Sequence, residues 1–274
     1  MKQLHLVVSL DVSGSMCEIG NDSKNLNCND SKSKWAQAKA ALTGFFGNSA
    51  AKDSFASLIP WSGNSCNGFD KPIGSETALP DSNSVLSSAL SGVSPNGGTP
   101  THGAIDGAVR YSSQLKAQVA DTGSVAVVLV TDGMPTGCST LQQAQASAAA
   151  AKAAGFPVYV IGLGNQIANL DSLAASGGTT KAVIVDVGNP TSVSTQLQSA
   201  LETIRSTALG CTLSVPKAPD GQTLDYKKVN VTFSNNGAET VVPYSQDCSN
   251  PGGWHYDTVP GSGTAPSNIQ LCDN

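Results

Sequence analysis

Two kinds of stretch alternate over most of the chain. Short runs of almost entirely apolar residues predict strands buried on both faces, because a half-exposed strand would alternate polar and apolar positions. Longer stretches between them repeat apolar residues at helical spacing, which predicts amphipathic helices. The predicted strands are residues 4–10, 55–61, 125–130, 158–162 and 182–187. The predicted helices are residues 35–46, 85–90, 100–119, 141–154, 170–175 and 190–209.

This alternation predicts the fold class. Strands that alternate with helices build a doubly wound, mostly parallel α/β sheet with helices on both faces. After Cys211 the pattern changes to short β-like pieces, and the Asn-Asn-Gly sequence at residues 235–237 is typical of a hairpin turn. We therefore expect an α/β domain at residues 1–209 and a small β appendix at residues 210–274, which would be marginally stable alone.

Composition excludes several classes of protein. The chain has 274 residues, of which 39% are hydrophobic and 13% are charged, and its formal net charge is −5. No apolar run reaches the length of about 18 residues that a transmembrane helix needs, so we expect none. No cluster of Lys and Arg accompanies the negative net charge, which argues against a protein that binds nucleic acid or anionic membranes.

Polar motifs follow two of the predicted strands, and a third motif precedes a predicted helix. The motifs are Asp11-Val12-Ser13-Gly14-Ser15, Thr131-Asp132-Gly133 and Gly97-Gly98-Thr99. In a doubly wound sheet, ligands bind outside the carboxyl ends of the strands, near the point where the strand order reverses. Two carboxylates and three hydroxyls would meet there, and such hard oxygen ligands favour Mg²⁺, Mn²⁺ or Ca²⁺ over Zn²⁺.

This set of residues resembles the metal-ion-dependent adhesion site of von Willebrand factor type A domains. The resemblance extends over about residues 3–209 and fills every position of the family's motif, with Asp11, Ser13, Ser15, Thr99 and Asp132. It implies that Ser13 and Ser15 bind a metal directly, that Thr99 does so in the ligand-competent state, and that the two aspartates act directly or through water. Mg²⁺ or Mn²⁺ fits such a site best, with Ca²⁺ as an alternative. One coordination position would remain for an Asp or Glu carboxylate of a protein ligand.

Two neighbours of Thr99 are weaker candidates for the site. Thr101 lies in the same loop, but the family pattern puts the ligand directly after Gly-Gly, which favours Thr99. We expect His102 to be a surface imidazole, because hard oxygen sites seldom include one. In the alternative interpretation the loop residues only cap helices and turn the chain, and the domain is a scaffold.

Catalytic motifs are missing from the sequence, so we do not expect an enzyme. Ser13 stands where aspartyl phosphotransferases have a second aspartate. The chain also lacks a Gly-x-Ser-x-Gly elbow, a Gly-Lys-Ser/Thr phosphate loop and a complete dinucleotide-binding loop. The motifs therefore predict binding rather than catalysis.

Seven cysteines without a Cys-x-x-Cys pair indicate disulfides formed in an oxidising compartment rather than a zinc site. The candidate pairs are Cys17 with Cys28, Cys66 with Cys138, and Cys248 with Cys272, which leaves Cys211. Connectivity cannot be read from a sequence, and buried reduced thiols are the alternative. No secretory signal is visible, and we expect that Met1 replaces a removed one. We also expect that a truncation after Cys272 removed the partner of Cys211.

The last part of the chain adds a second, shorter resemblance. Cys248, residues 252–257 and residues 269–272 resemble the segment that follows type A domains in bacterial secreted proteins. We therefore predict an exported bacterial protein, extracellular or on the cell surface, with a metal-dependent ligand face. Two alternatives are an assembly scaffold of an extracellular complex with an incidental metal, and a metal-dependent chaperone-like subunit. The cysteines favour export over the second of these.

Overall fold

The computed structural model describes residues 3–20, 22–119, 123–164, 169–187, 195–201, 203–204, 212–215, 222–235, 238–249 and 252–272. The chain forms two compact units, Lys2–Ala208 and Leu209–Asn274. The domain boundary expected after residue 209 remains a prediction.

The apolar runs form strands, and the amphipathic stretches form helices. The strands of the first unit are β1 (Gln3–Asp11), β2 (Glu18–Ile19), β3 (Asp22–Leu26), β4 (Ser54–Trp61), β5 (Thr77–Ala78), β6 (Gly123–Thr131), β7 (Val158–Leu163) and β8 (Val183–Val185). Its helices are α1 (Lys34–Phe46), α2 (Val85–Ser91), α3 (Thr101–Val119), α4 (Leu141–Ala153) and α5 (Leu170–Ser176). Residues 195–201 and 203–204 are also helical. The predicted ends of that helix, Pro190 and Leu209, lie outside the described residues.

One sheet of six strands forms the centre of this unit, in the order β5-β4-β1-β6-β7-β8. β1 pairs in parallel with β4 and β6, and β7 and β8 continue the parallel ladder, whereas β5 is antiparallel to β4. The doubly wound, mostly parallel α/β fold is therefore confirmed. Because the strand order reverses at β1, the carboxyl ends of β1 and β6 border the crevice where such sheets bind ligands.

Both faces of the central strands are buried. Val7 and Val127 belong to a core cluster that also contains residues of α3, α4 and α5. Their neighbours Val8 and Val128 point to the opposite face and are fully buried as well. A sheet covered on both faces needs apolar residues at successive positions, which explains the continuous apolar runs in the sequence.

A side-chain cap and a backbone hydrogen bond mark where two helices near the site begin. The Ser33 side chain caps α1 by accepting a hydrogen bond from the Ala36 N–H. The predicted start of α3, residue 100, is one residue too early. The Pro100 carbonyl accepts the hydrogen bond of the Ala104 N–H, and the helix begins at Thr101. Thr99 is thereby left in the loop, where its side chain is available to the site.

Residues 17–33, for which the sequence predicts neither a strand nor a helix, contain regular structure. β2 and β3 pair there as a short antiparallel hairpin. Every side chain of β3 is exposed, so the sequence has no apolar alternation from which the strand could be predicted. Ile19 forms an isolated bridge with Ser33, which brings this hairpin next to the start of α1.

The second unit is built from short antiparallel strands. They are β9 (Thr212–Ser214), β10 (Val231–Asn235), β11 (Ala238–Val242), β12 (Trp254–Tyr256) and β13 (Asn268–Leu271). β10 pairs with β11, and β13 lies between β12 and β9. A 3₁₀ turn at Tyr226–Lys228 precedes β10.

Aromatic rings fill the centre of the second unit. Trp254, Tyr256 and Ile269 form its buried cluster. The rings of Trp254 and Tyr256 are nearly perpendicular, with centroids 5.0 Å apart, and the Tyr256 hydroxyl donates a 3.0 Å hydrogen bond to the Tyr226 carbonyl. Edge-to-face contacts of this kind contribute about 0.5–1.5 kcal/mol beyond the buried area. The two aromatic residues of β12 are therefore core residues of their own unit.

Candidate metal centre

The ends of β1 and β6 bring two aspartates to one edge of the sheet. Asp11 is the last residue of β1, and Asp132 directly follows Thr131, the last residue of β6. Asp11 is 0% exposed and Asp132 is 2% exposed. The sheet thus fixes two carboxylates in the protein interior, where a charge is costly unless other groups compensate it.

Hydroxyl groups connect these two carboxylates. The Ser13 N–H donates to Asp11 Oδ1 over 2.8 Å, and the Ser13 and Ser15 hydroxyl oxygens are 3.0 Å apart. The Ser15 hydroxyl donates to Asp132 Oδ1 over 2.9 Å. Because the Ser15 proton points to Asp132, Ser13 is the donor in the bond between the two serines. A row of oxygen atoms therefore runs from Asp11 to Asp132.

The loop that contains Thr99 reaches the same place. The Gly14 N–H donates to the Gly97 carbonyl over 2.9 Å, which joins this loop to the segment after β1. Gly97 has a φ of +76°, and a Cβ there would lie 2.8 Å from Gly63 Cα, so only glycine fits. Thr99 is held by Thr136, whose hydroxyl accepts from the Thr99 N–H over 2.8 Å. Thr99 then lines a cavity of about 310 Å³ together with Ser15 and Asp132.

The two weaker candidates have other partners. The Thr101 hydroxyl donates to the Thr99 carbonyl over 3.3 Å. His102 is half-buried rather than on the surface as expected: its Nδ1 lies 3.0 Å from Ser139 Oγ and 3.5 Å from Cys66 Sγ. Neither residue is among the described residues that line the cavity.

Sequence reasoning missed two charged residues of the site. Lys34 Nζ lies 2.9 Å from Asp132 Oδ2 and 2.5 Å from Glu18 Oε2, and the Lys34 side chain is only 2% exposed. A lysine in the first turn of a helix opposes the helix dipole, and this was the available signal that it has an acidic partner. Both residues line the cavity with Asp132.

Burial and neighbouring charges shift the pKa values of Asp11, Asp132 and Lys34. Burial, followed by the negative charge of Asp132, raises the pKa of Asp11 to about 7. Burial also raises the pKa of Asp132, against the opposing effect of Lys34. Burial alone would lower the pKa of the Lys34 ammonium, but Asp132 and Glu18 outweigh it and the pKa is raised. Lys34 compensates Asp132 in part, and the charge of Asp11 is the less compensated of the two.

The residues present fit a divalent cation. Apart from the Lys34 ammonium, the side chains that converge are carboxylates and hydroxyls, which are the ligands that hard cations prefer. Burial, and after it the charge of Asp132, disfavours the ionised form of Asp11, and a bound cation would stabilise that form. A second group of metal-ligand types, Cys248, His255 and Cys272, is different, because its two cysteines form a disulfide and so offer no thiolate.

Disulfides lie beside the site and in the second unit. Cys17 is joined to Cys28, Cys66 to Cys138, and Cys248 to Cys272. The first closes the hairpin segment after β1, and the second joins the segment after β4 to the segment after β6. Cys211 lies outside the described residues.

The family follows from a comparison with known sequences. The sequence model of the von Willebrand factor type A domain family matches residues 5–200. With the sheet order and the loop geometry described above, the chain belongs to the von Willebrand factor type A domain family. No curated protein matches it in sequence.

Solved structures share the fold at low sequence identity. The PilB minor pilin from Streptococcus sanguinis is 13% identical with a TM-score of 0.55, over 76% of this chain and 62% of that one. A von Willebrand factor type A protein from Catenulispora acidiphila is 14% identical with a TM-score of 0.54, over 79% of this chain and 46% of that one. In both comparisons the match therefore spans less than two thirds of the other protein.

Among the described residues, no helix combines the length and the apolar character that crossing a bilayer requires.

Proposed function

We propose that the chain is a metal-dependent protein-binding domain of adhesion type. The cation would be held by Asp11, Ser13, Ser15, Thr99 and Asp132. Mg²⁺ or Mn²⁺ is our first choice and Ca²⁺ the alternative. When bound, the cation supplies positive charge and an open coordination position for an Asp or Glu carboxylate of a protein ligand. The proposal depends most on one observation, the meeting of buried carboxylates and hydroxyls at the carboxyl ends of β1 and β6.

The residues of the site have distinct tasks in this proposal. Thr131 and the Ser13 N–H hold the Asp11 carboxylate, so its oxygens have fixed positions. The Ser15 proton is directed to Asp132, which turns an oxygen lone pair of Ser15 away from that carboxylate. Neutral hydroxyls bring no charge of their own, so an acidic partner would be attracted to the loaded face.

Calorimetry tests whether the proposed residues bind a divalent cation. Mg²⁺ and Mn²⁺ are titrated into the wild type, into Asp11→Ala and into Asp22→Ala, a matched control whose carboxylate lies on the exposed strand β3. We expect binding heats for the wild type and the control and none for Asp11→Ala. Equal heats in all three proteins contradict the proposal. Circular dichroism spectra establish that each variant is folded.

A binding role rather than catalysis is part of the proposal. Domains of this family are generally interaction modules that bind protein ligands and do not act as enzymes. We propose the same for this chain. Pull-down from native extracts, with and without EDTA, identifies the ligand, and a partner retained equally with the chelator argues against metal dependence.

Export is also proposed. The three disulfides favour an oxidising compartment and therefore a protein that is extracellular or on the cell surface. The resemblance of its last segment to bacterial secreted proteins supports a bacterial source. The proposal includes a type A domain at residues 1–209 followed by a β appendix at 210–274. Alkylation of unfolded, unreduced protein followed by mass spectrometry tests the cysteines, and labelling of all seven contradicts it.

A second candidate function is an assembly scaffold with an incidental metal. Lys34 favours it, because an internal ammonium already offsets part of the charge of Asp132. For a scaffold, chelation leaves the assembly and its partners unchanged. The same EDTA comparison therefore separates the two functions.

A further inference from the structure

A buried lysine joins two acids at the edge of the metal centre. Lys34 opens α1, and its ammonium contacts Glu18 Oε2 and Asp132 Oδ2. Its side chain is 2% exposed, that of Glu18 is 14% exposed and that of Asp132 is 0% exposed. Breaking such a pair by removing one partner leaves a buried charge without compensation, so the three charges depend on one another.

The backbone holds the three groups in place. Ser33 caps α1 with its side chain and forms a bridge with Ile19, the residue after Glu18. This bridge brings the hairpin strand that contains Glu18 against the first turn of α1. The lysine therefore reaches both acids from a fixed position.

The charges of the site can be added up. Asp11, Asp132 and Glu18 are three acids, and Lys34, which contacts Asp132 and Glu18, is the one base among the described residues that line the cavity. The other described residues of the cavity are neutral: Ser15, Ser23, Thr99, Gly133, Met134 and Thr136. With all carboxylates ionised, the site has two negative charges in excess, which is the charge that a divalent cation cancels. Without Lys34 a loaded site would remain negative and would repel a carboxylate ligand.

We propose that Lys34 and Glu18 are positioning and specificity-determining residues that set the net charge of the loaded site and so determine whether it accepts an acidic ligand. This inference rests on the proposed function. Lys34 lowers the excess negative charge at Asp132, and Glu18 limits that effect. The affinity of the loaded site for a carboxylate depends on the summed charge of Lys34 and Glu18. Removing both residues leaves that sum unchanged, so the double variant should bind a carboxylate as the wild type does.

The test uses Lys34→Met, Glu18→Gln and the double variant, with Lys32→Met as the matched control because Lys32 is an exposed neighbour. Mn²⁺ affinity is measured by calorimetry. Carboxylate binding is measured at Mn²⁺ saturation by the relaxation of ¹³C-acetate, which the bound Mn²⁺ enhances. Thermal unfolding in EDTA gives a readout without metal.

The two affinities should change in opposite directions. For Lys34→Met we expect Mn²⁺ to bind about tenfold more tightly and acetate about tenfold more weakly, because one positive charge has left the site. Glu18→Gln should show both changes with the opposite sign. The double variant and Lys32→Met should resemble the wild type in both. In EDTA, Lys34→Met should unfold at a lower temperature than the double variant.

Several results would overturn the inference. A double variant that behaves like Lys34→Met assigns the lysine a structural role only. If Lys34→Met does not fold, Glu18→Gln alone decides, and an unchanged acetate affinity in that variant contradicts the inference. Mn²⁺ binding by the wild type with acetate affinities equal in all variants overturns this inference but leaves the proposed function. The absence of Mn²⁺ binding by the wild type overturns both.

Discussion

The Thr131 hydroxyl donates a 2.6 Å hydrogen bond to Asp11 Oδ2 and so joins the carboxyl ends of β1 and β6 at the metal centre. Both residues are fully buried. The bond therefore has two effects: it holds the Asp11 carboxylate in position, and it compensates part of its charge. A substitution that removes only the Thr131 hydroxyl abolishes both effects and leaves the packing of β6 unchanged.

Thr131→Val keeps the shape of the side chain and removes the donor. We expect the metal-free protein to lose about 1–3 kcal/mol of unfolding free energy, because a buried carboxylate oxygen loses a hydrogen bond. Metal affinity should fall as well. Urea denaturation and calorimetry measure the two effects. Thr43→Val, on the exposed side of α1, is the matched control. Equal stability of both variants contradicts the role given to this bond.

The metal-free protein should become less stable as the pH rises. The pKa of Asp11 is about 7 in the folded chain, against 3.8 ordinarily. Between these values the folded state binds more protons than the unfolded state, so the unfolding free energy falls by up to about 1.4 kcal/mol per pH unit. Below this window the effect is absent. Urea denaturation in EDTA at pH 4.5–7.5 measures it, and Asp11→Asn should remove most of the slope.

Metal binding should depend on pH in the opposite direction. A ligand carboxylate must lose its proton before it can bind a cation, so the apparent Mg²⁺ affinity should rise up to about pH 7 and then level off. Calorimetry in two buffers of different ionisation enthalpy detects the released proton. An affinity that is the same at pH 5.5 and pH 7.5 contradicts the assignment of Asp11.

The sheet was predictable because the burial of each strand is visible in a short run of its own residues. Successive buried positions in β1 and β6 require apolar runs, and the polar residues directly after each run are at the site because parallel strands end at one edge. Lys34 was not predictable in this way. It is 98 residues from Asp132 in the sequence, and only the folded chain brings the two together. The hairpin of β2 and β3 was missed because exposed side chains leave no pattern.

The two disulfides next to the site should differ in their contribution to stability. Cys17–Cys28 spans 11 residues and Cys66–Cys138 spans 72. In the chain-entropy model the shorter loop corresponds to about 3 kcal/mol and the longer one to about 4 kcal/mol. Replacing each pair by alanine and measuring urea denaturation tests this order. A larger loss for the Cys17–Cys28 pair would show that strain or denatured-state structure outweighs loop length.

Thr99 and Thr101 provide the sharpest mutational test of the metal ligands, because they lie two residues apart and only Thr99 is among the described residues that line the cavity. Thr99 lines the cavity with Ser15 and Asp132, whereas the Thr101 hydroxyl donates to the Thr99 carbonyl. We expect Thr99→Ala to weaken Mg²⁺ and Mn²⁺ binding at least tenfold with little change in stability. Thr101→Ala should lose about 1 kcal/mol of unfolding free energy, the usual net contribution of one hydrogen bond, and its metal affinity should be unchanged. Calorimetry and urea denaturation of both variants decide the matter. If Thr101→Ala loses the metal and Thr99→Ala keeps it, the ligand set must be reassigned.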